Sequence, residues 1–322
     1  MSYSLVIPAY DPISEPVLRS DWFDARCREL FSQVFVYHDG SSQVDQWVER
    51  LRGQDFVLLV GACPKGVFSQ LGPNDSPKLV SFCYTGVETV NDVAEIQAQG
   101  TVCTRLVHFD DYAIAEHTLA LTLACTRKIV QVDREIRVGH WPKPTVTQLK
   151  GKTVGILGLG GIGKEYAKMC YALGAKILAW DIVQDVGFIQ SVEGEFTDDL
   201  DYLMNNSQIV SVHLAANDAT FGLIKSHHLA KLNPGSIIIN TARAEVIEAG
   251  AMYERLAQGD IQGGFDVWEK EPLAQDDPLR ELENVVHTSH NAYRTIETSW
   301  RTIELGLNNI EAFISGHPQN MV

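Results

Sequence analysis

The apolar run Thr153–Leu157 leads without interruption into Gly158-Leu159-Gly160-Gly161-Ile162-Gly163, and a helical stretch, Lys164–Leu173, follows. A G-x-G-x-x-G turn between a strand and a helix gives each glycine a task. One allows a tight turn, one lets the backbone approach a pyrophosphate, and one lets helix and strand pack closely. Phosphate would then meet free N–H groups at the positive end of a helix dipole. Taken alone, the motif reads equally well as a flexible turn. Its context decides the matter. The next apolar run, Lys176–Trp180, ends in Asp181, about 20 residues beyond the glycines, where an acid accepts hydrogen bonds from the adenosine ribose. A carboxylate there repels a 2′-phosphate, so NAD is expected over NADP. Gly158, Gly160, Gly161, Ile162, Gly163 and Asp181 are the expected cofactor-binding residues.

Short apolar runs alternate with longer amphipathic stretches along the chain. Candidate strands are Leu5–Ile7, Val34–Tyr37, Phe56–Val60 and Leu79–Phe82, with helical stretches such as Asp21–Ser32 and Ser42–Gly53 between them. A second series comprises Thr153–Leu157, Lys176–Trp180, Ile209–Leu214, Ser236–Asn240, Gly264–Val267 and Val285–His287. Such alternation predicts parallel α/β units. One long helix is predicted from Asp110-Asp111 to about Val138, then an irregular connection over Gly139–Gly151, which carries Pro142 and Pro144. After His290 the chain holds only one more helical stretch, Thr295–Ser315. It is too short for a domain and should return to the first one. The expected fold class is therefore α/β with two doubly wound parallel-sheet domains. A Rossmann NAD domain, residues 111–290, is inserted into a flavodoxin-like substrate domain, residues 1–110 plus 291–322.

Three segments place polar residues just after second-series strands, where ligands of parallel sheets gather. They are Asn240-Thr241-Ala242-Arg243, Asp266-Val-Trp-Glu-Lys-Glu271-Pro272 and Thr288-Ser289-His290. Singly, each has an ordinary reading: a surface ion pair for Arg243, an acidic loop for Asp266 and Glu271. Together, and with Ala115-Glu116-His117 opening the long helix, they resemble the D-isomer-specific 2-hydroxyacid dehydrogenase family over nearly the whole chain. The likeness is to its phosphoglycerate dehydrogenase and glyoxylate or hydroxypyruvate reductase members. The resemblance implies that Arg243, Glu271 and His290 are catalytic. Arg243 would bind the substrate carboxylate or carbonyl, His290 would be the acid/base, and Glu271 its partner. It also puts Thr241, Ala242, Arg243 and Asp266 beside the cofactor, and Tyr84, Thr85 and Gly86 with Arg243 and His290 at the substrate. The residue types suit the task. Reducing a keto group requires a proton on oxygen, which histidine can deliver near neutral pH, and guanidinium pairs with a carboxylate through two bonds.

The chain departs from the family pattern at several positions. Tyr84 replaces the first glycine of the loop Tyr84-Thr85-Gly86-Val87-Glu88, Ser289 replaces a proline, Ala244 a glycine and Ala215 a proline. Glu271 argues against formate dehydrogenase, a relative with glutamine there. Lys65 or Arg105 could meet an extra anionic group on the substrate, or could be solvated loop charges. His117 and His213 read as structural or near the cofactor, His287 and His317 as incidental. Two other readings share the fold: an NAD-sensing corepressor-like binding protein, and a dehydrogenase acting on a phosphonate or phosphite.

Charge and cysteine usage narrow the setting. A formal net charge of −15 gives nothing to gain from counterion release on nucleic acid and brings repulsion from anionic lipid. No apolar run approaches the roughly 20 residues of a membrane span, and Met1–Ile7 reads as a first strand rather than a signal peptide. Six cysteines without C-x-x-C spacing suit a reduced, cytoplasmic protein, and no metal is expected. The segment Arg137-x-Gly139-x-Trp141 resembles the family's dimer arm, which implies a homodimer. The expected ligand is a small anionic 2-keto or 2-hydroxy acid.

Overall fold

Strands buried on both faces of a parallel sheet read as unbroken apolar runs, and the apolar runs of this chain are its strands. The structure, a computed structural model, describes residues 3–39, 43–61, 63–87 and 93–322. Contacts divide it into two compact units, Met1–Phe109 with Arg294–Val322, and Asp110–Tyr293.

The smaller unit carries β1 (Ser4–Ile7), β2 (Gln33–Val36), β3 (Phe56–Leu59), β4 (Leu79–Phe82) and β5 (Val102–Thr104). They form an all-parallel sheet in the order β2-β1-β3-β4-β5, the flavodoxin-like arrangement. Alternate residues enter opposite cores. Leu5, Ile7, Phe56, Leu58 and Leu79 lie in one, Val6, Val57, Leu59, Val80 and Phe82 in the other. The first core is completed by Ile303, Leu307 and Ile310 of the C-terminal helix Ile296–Ile314. That helix approaches closely because residue 306 has no side chain. A Cβ there would stand 2.4 Å from a methyl of Leu58. Strand β5 was not anticipated, since three residues carry too little pattern to register.

The larger unit carries β6 (Thr153–Leu157), β7 (Lys176–Trp180), β8 (Glu195–Phe196), β9 (Ile209–Val212), β10 (Ile237–Asn240), β11 (Gln262–Phe265) and β12 (Val285–His287). All are parallel, in the order β12-β11-β10-β9-β6-β7-β8. This is the dinucleotide-fold order with one strand added, and the order reverses between β6 and β9.

Two expectations are corrected. The strand predicted at Gly264–Val267 lies at Gln262–Phe265. Gly263 and Gly264 are both strand residues, kept as glycine by close packing: added Cβ atoms would meet the Phe265 ring at 2.3 Å and Ile239 at 2.9 Å. The single helix predicted to Val138 is two, Asp111–Arg127 and Ile129–Arg137. They are separated by Lys128 in the left-handed region (φ 52°), which ends the first helix. Contacts group the residues up to Tyr293 with the larger unit. Near that point the Asp266 carboxylate accepts hydrogen bonds from the backbone N–H groups of Asn291 and Ala292, each at 3.0 Å.

Inside this unit His213 hydrogen-bonds Ser211 through Nε2 at 2.8 Å, while its Nδ1 is buried without a partner. Burial pushes its pKa down to about 3 from 6.5. A histidine held neutral binds fewer protons in the fold than in the unfolded chain. Its contribution to stability is therefore complete above 6.5 and is lost as pH falls from there toward 3. The urea midpoint is expected to drop between pH 7 and pH 4, and to drop less steeply in His213→Gln. Identical slopes in the two proteins would refute the assignment.

Candidate active site

Seven parallel strands bring their carboxyl ends to one edge of the larger unit, and the polar segments singled out above all leave from that edge. At the end of β6, Gly158 has φ 96°, and a Cβ on it would stand 2.8 Å from the carbonyl oxygen of His213. On Gly163 a Cβ would stand 2.1 Å from the carbonyl oxygen of Gly158. Gly160 differs: it is exposed and has nothing within 4 Å of where its Cβ would be. It is also the N-cap of the helix Gly161–Ala172, with no side-chain cap. Two glycines thus shape the turn, and the third leaves backbone bare where a pyrophosphate would approach. Ile162 packs partly buried against the core beneath. Asp181, at the end of β7, accepts from Leu159 N–H at 2.6 Å and Val183 N–H at 2.9 Å. The carboxylate is locked beside the glycine turn. This cradle and this acid fit what a dinucleotide would need.

After β10 the side chain of Asn240 folds the following turn. Its amide nitrogen donates to the Arg243 carbonyl at 2.9 Å, and its oxygen accepts from Ala242 N–H at 3.0 Å. Thr241 is buried and shares a hydrogen bond with the Thr118 hydroxyl at 2.8 Å. Arg243 is half-buried and donates one Nη1 bond to the Ala242 carbonyl at 2.7 Å.

After β11 the pivot is Asp266, 1% exposed. Besides Asn291 and Ala292 it accepts from the Thr288 hydroxyl at 2.6 Å, and its carbonyl accepts from His290 N–H at 2.8 Å. His117 Nε2 hydrogen-bonds the same Thr288 hydroxyl at 3.0 Å. Asp266 thus organises the loop that presents His290, which sits at φ 53°. A non-glycine residue adopts that conformation only where its surroundings over-determine it. The His290 side chain hydrogen-bonds Glu271 through Nδ1 to Oε2 at 2.6 Å. The other Glu271 oxygen accepts from Trp268 N–H at 3.0 Å, and the Trp268 indole N–H donates to the Thr288 carbonyl at 3.0 Å. His287 stacks on the Trp268 ring at 5.1 Å.

The structure therefore brings Glu271, His290 and Asp266 together, and sets Thr241–Arg243 on the neighbouring strand end. Two residues of these segments were given no role from the sequence. Asn240 carried a signal, since an Asn that bonds the backbone two residues on is a turn former. Trp268 carried none, because its role depends on contacts made across a loop.

In the smaller unit, the turn after β4 holds Tyr84, Thr85 and Gly86. The Tyr84 ring packs edge-on to Phe82 at 5.7 Å, and its carbonyl accepts from Leu106 N–H at 3.3 Å. Val87 N–H donates to the Thr85 carbonyl at 2.9 Å, and Glu88 lies outside the described residues. Lys65 is exposed on a loop after β3, whereas the backbone of Arg105 is stitched to Asn320 and Asn309.

A sheet of this order, with this glycine turn and this acid, defines the larger unit as a dinucleotide-binding one. Comparison with known proteins gives the family. Residues 119–292 match the NAD-binding domain of the D-isomer specific 2-hydroxyacid dehydrogenases, and the chain belongs to that family. It is 38% identical over 247 residues to a glyoxylate reductase of Thermofilum pendens, covering 74% of this chain and 72% of the relative. It is 30% identical over 311 residues to a glycerate dehydrogenase of Methylorubrum extorquens, covering 93% and 95%. Among solved structures, a D-2-hydroxyisocaproate dehydrogenase superposes with TM-score 0.85 at 22% identity, covering 99% of both chains. The cofactor is NAD, and no helix among the described residues is long and apolar enough to cross a membrane.

Proposed function

We propose that this chain interconverts a small 2-keto acid and its 2-hydroxy acid, with His290 as acid/base, Glu271 as its orienting partner and Arg243 as the substrate's anionic anchor. The observation that carries this reading is the 2.6 Å bond between His290 Nδ1 and Glu271 Oε2. With Nδ1 engaged, Nε2 is the nitrogen left to give a proton to a carbonyl oxygen, or to take one from a hydroxyl. Bound NAD supplies the site from which hydride leaves or to which it returns. Arg243 spends one nitrogen on the Ala242 carbonyl and keeps the rest of the guanidinium for a carboxylate or carbonyl oxygen. Asp266 acts through position, holding the loop that carries His290. Thr241 and Ala242 are proposed to line the cofactor. In the smaller unit, Thr85 and Gly86 are proposed to meet a carboxylate through backbone N–H groups, with Tyr84 beside them.

The relatives' names, glyoxylate reductase and glycerate dehydrogenase, favour two- and three-carbon acids. NADH consumption with glyoxylate, hydroxypyruvate, pyruvate and phosphonopyruvate tests this. Turnover with one of the first two, faster with NADH than with NADPH, is expected. No turnover with any of them while NADH binds would overturn the reading. Arg243→Lys is expected to lower kcat/KM about 10–100-fold, since the second bond of a charge-assisted pair is lost. An unchanged kcat/KM would remove Arg243 from the substrate.

We further propose a homodimer. Ile129, Ile136, Val138 and Trp141 are 55%, 45%, 69% and 77% exposed along one stretch after the helix break, and apolar side chains exposed together are a feature of association surfaces. Sedimentation equilibrium is expected to show two chains, and Trp141→Ser to weaken the association; a monomeric wild type would refute this. The six cysteines are buried free thiols, which suits a cytoplasmic setting.

A further inference from the structure

The larger unit carries a second group of ionisable side chains that hydride transfer does not use. Asp201 lies on the helix Leu200–Asn206, and His227 and His228 lie on the helical turn Ser226–Leu229. One metal-ligating atom from each residue lies within 4.8 Å of the other two. The two imidazole centroids are 4.0 Å apart with their planes at 47°. One carboxylate oxygen of Asp201 is buried with no hydrogen-bond donor. The other is 3.5 Å from the Lys231 ammonium, too long for a full hydrogen bond. His227 is exposed, and the other two are half-buried.

We propose that Asp201, His227 and His228 form a binding site for a divalent transition-metal ion of the zinc class, with water completing the coordination. Two imidazoles and a carboxylate are ligands for zinc and its neighbours, whereas magnesium and calcium take all-oxygen sets. Ligand atoms around tetrahedral zinc stand roughly 3.3 Å apart, given its bond lengths. Closing the present separations of up to 4.8 Å to that value takes movement of these side chains, and His227 is exposed. A bound ion would give the Asp201 carboxylate, one oxygen of which is buried without a donor, a cationic partner. It would also tie the helix before β9 to the turn before β10.

Three features oppose binding and set its strength. Lys225 and Lys231 add positive charge nearby, with Asp199 as a counterweight. His228 Nδ1 accepts a hydrogen bond from Lys225 N–H at 3.0 Å. A neutral imidazole that accepts at one nitrogen carries its proton on the other, so metal and helix cap compete for this ring.

The test uses the full chain after chelator treatment, titrated calorimetrically with Zn2+ alone and spectroscopically with Co2+ alone. One ion per chain and visible cobalt bands are expected. His227→Ala and Asp201→Asn should each weaken binding at least tenfold, while His227→Ala leaves metal-free turnover unchanged. His227 is exposed, so its truncation does not threaten the fold, and circular dichroism of both variants checks this. The proposal falls if no saturable binding occurs at millimolar metal, or if both variants bind as the wild type does. It also falls if binding survives His227→Ala but is lost in Glu271→Ala, which would place the ion at the His290 pair.

Discussion

Replacing His290 by alanine is expected to lower kcat by about 10²–10⁴-fold, the usual contribution of a positioned acid or base, with NADH affinity essentially unchanged. The separation follows from geometry. The glycine turn and Asp181 lie at the ends of β6 and β7, while His290 follows β12 at the far side of the sheet order. The His290 side chain hydrogen-bonds Glu271, not the glycine turn. Steady-state kinetics beside a fluorescence titration of NADH reads both quantities. A variant with wild-type kcat would remove His290 from the chemistry, and one that fails to bind NADH would make it a structural residue instead. Glu271→Gln sharpens the test. Its amide can still hydrogen-bond the ring but carries no charge, so kcat should fall less than in His290→Ala.

The second large effect is expected from Gly163→Ala. The new Cβ would stand 2.1 Å from the Gly158 carbonyl oxygen, and the obstacle is backbone rather than the end of a flexible side chain. Either the helix Gly161–Ala172 moves off β6 or the turn opens. Overpacking of this kind costs about 1–3 kcal/mol or more, and it displaces the backbone proposed to meet the pyrophosphate. A lower melting temperature and at least tenfold weaker NADH binding are expected, with residual kcat at saturating cofactor. Wild-type values of both would show that the close approach is not required. Gly160→Ala is the control: nothing lies within 4 Å of its added Cβ, so stability should hold and only cofactor affinity should suffer.

Most of the framework was legible before any coordinates. The runs at Thr153–Leu157, Lys176–Trp180 and Leu79–Phe82 coincide with β6, β7 and β4, because buried parallel strands must be continuously apolar. The pattern failed where elements are short, as at β5 and β8, and where glycine serves packing, as at Gly263 and Gly264 in β11. It also failed at Lys128. Arg127 and Lys128 are good helix formers, and nothing local announces that Lys128 turns left-handed before Ile129.

The candidate site divides along the same line. The dinucleotide turn was readable from residues alone because its physics is local. Strand, glycines, helix and acid fall within about thirty residues, and each glycine answers a steric demand made by near neighbours. The grouping around His290 is not local. Glu271 meets His290 across 19 positions, and Asp266 reaches Asn291 and Ala292 across 25 and 26. Nothing in the chain's periodicity states those distances, and family resemblance could name the residues without saying what holds them. Folding supplied that part: parallel strands carry their ends to one edge, and a buried carboxylate must find donors there. In doing so Asp266 holds the loop that presents His290.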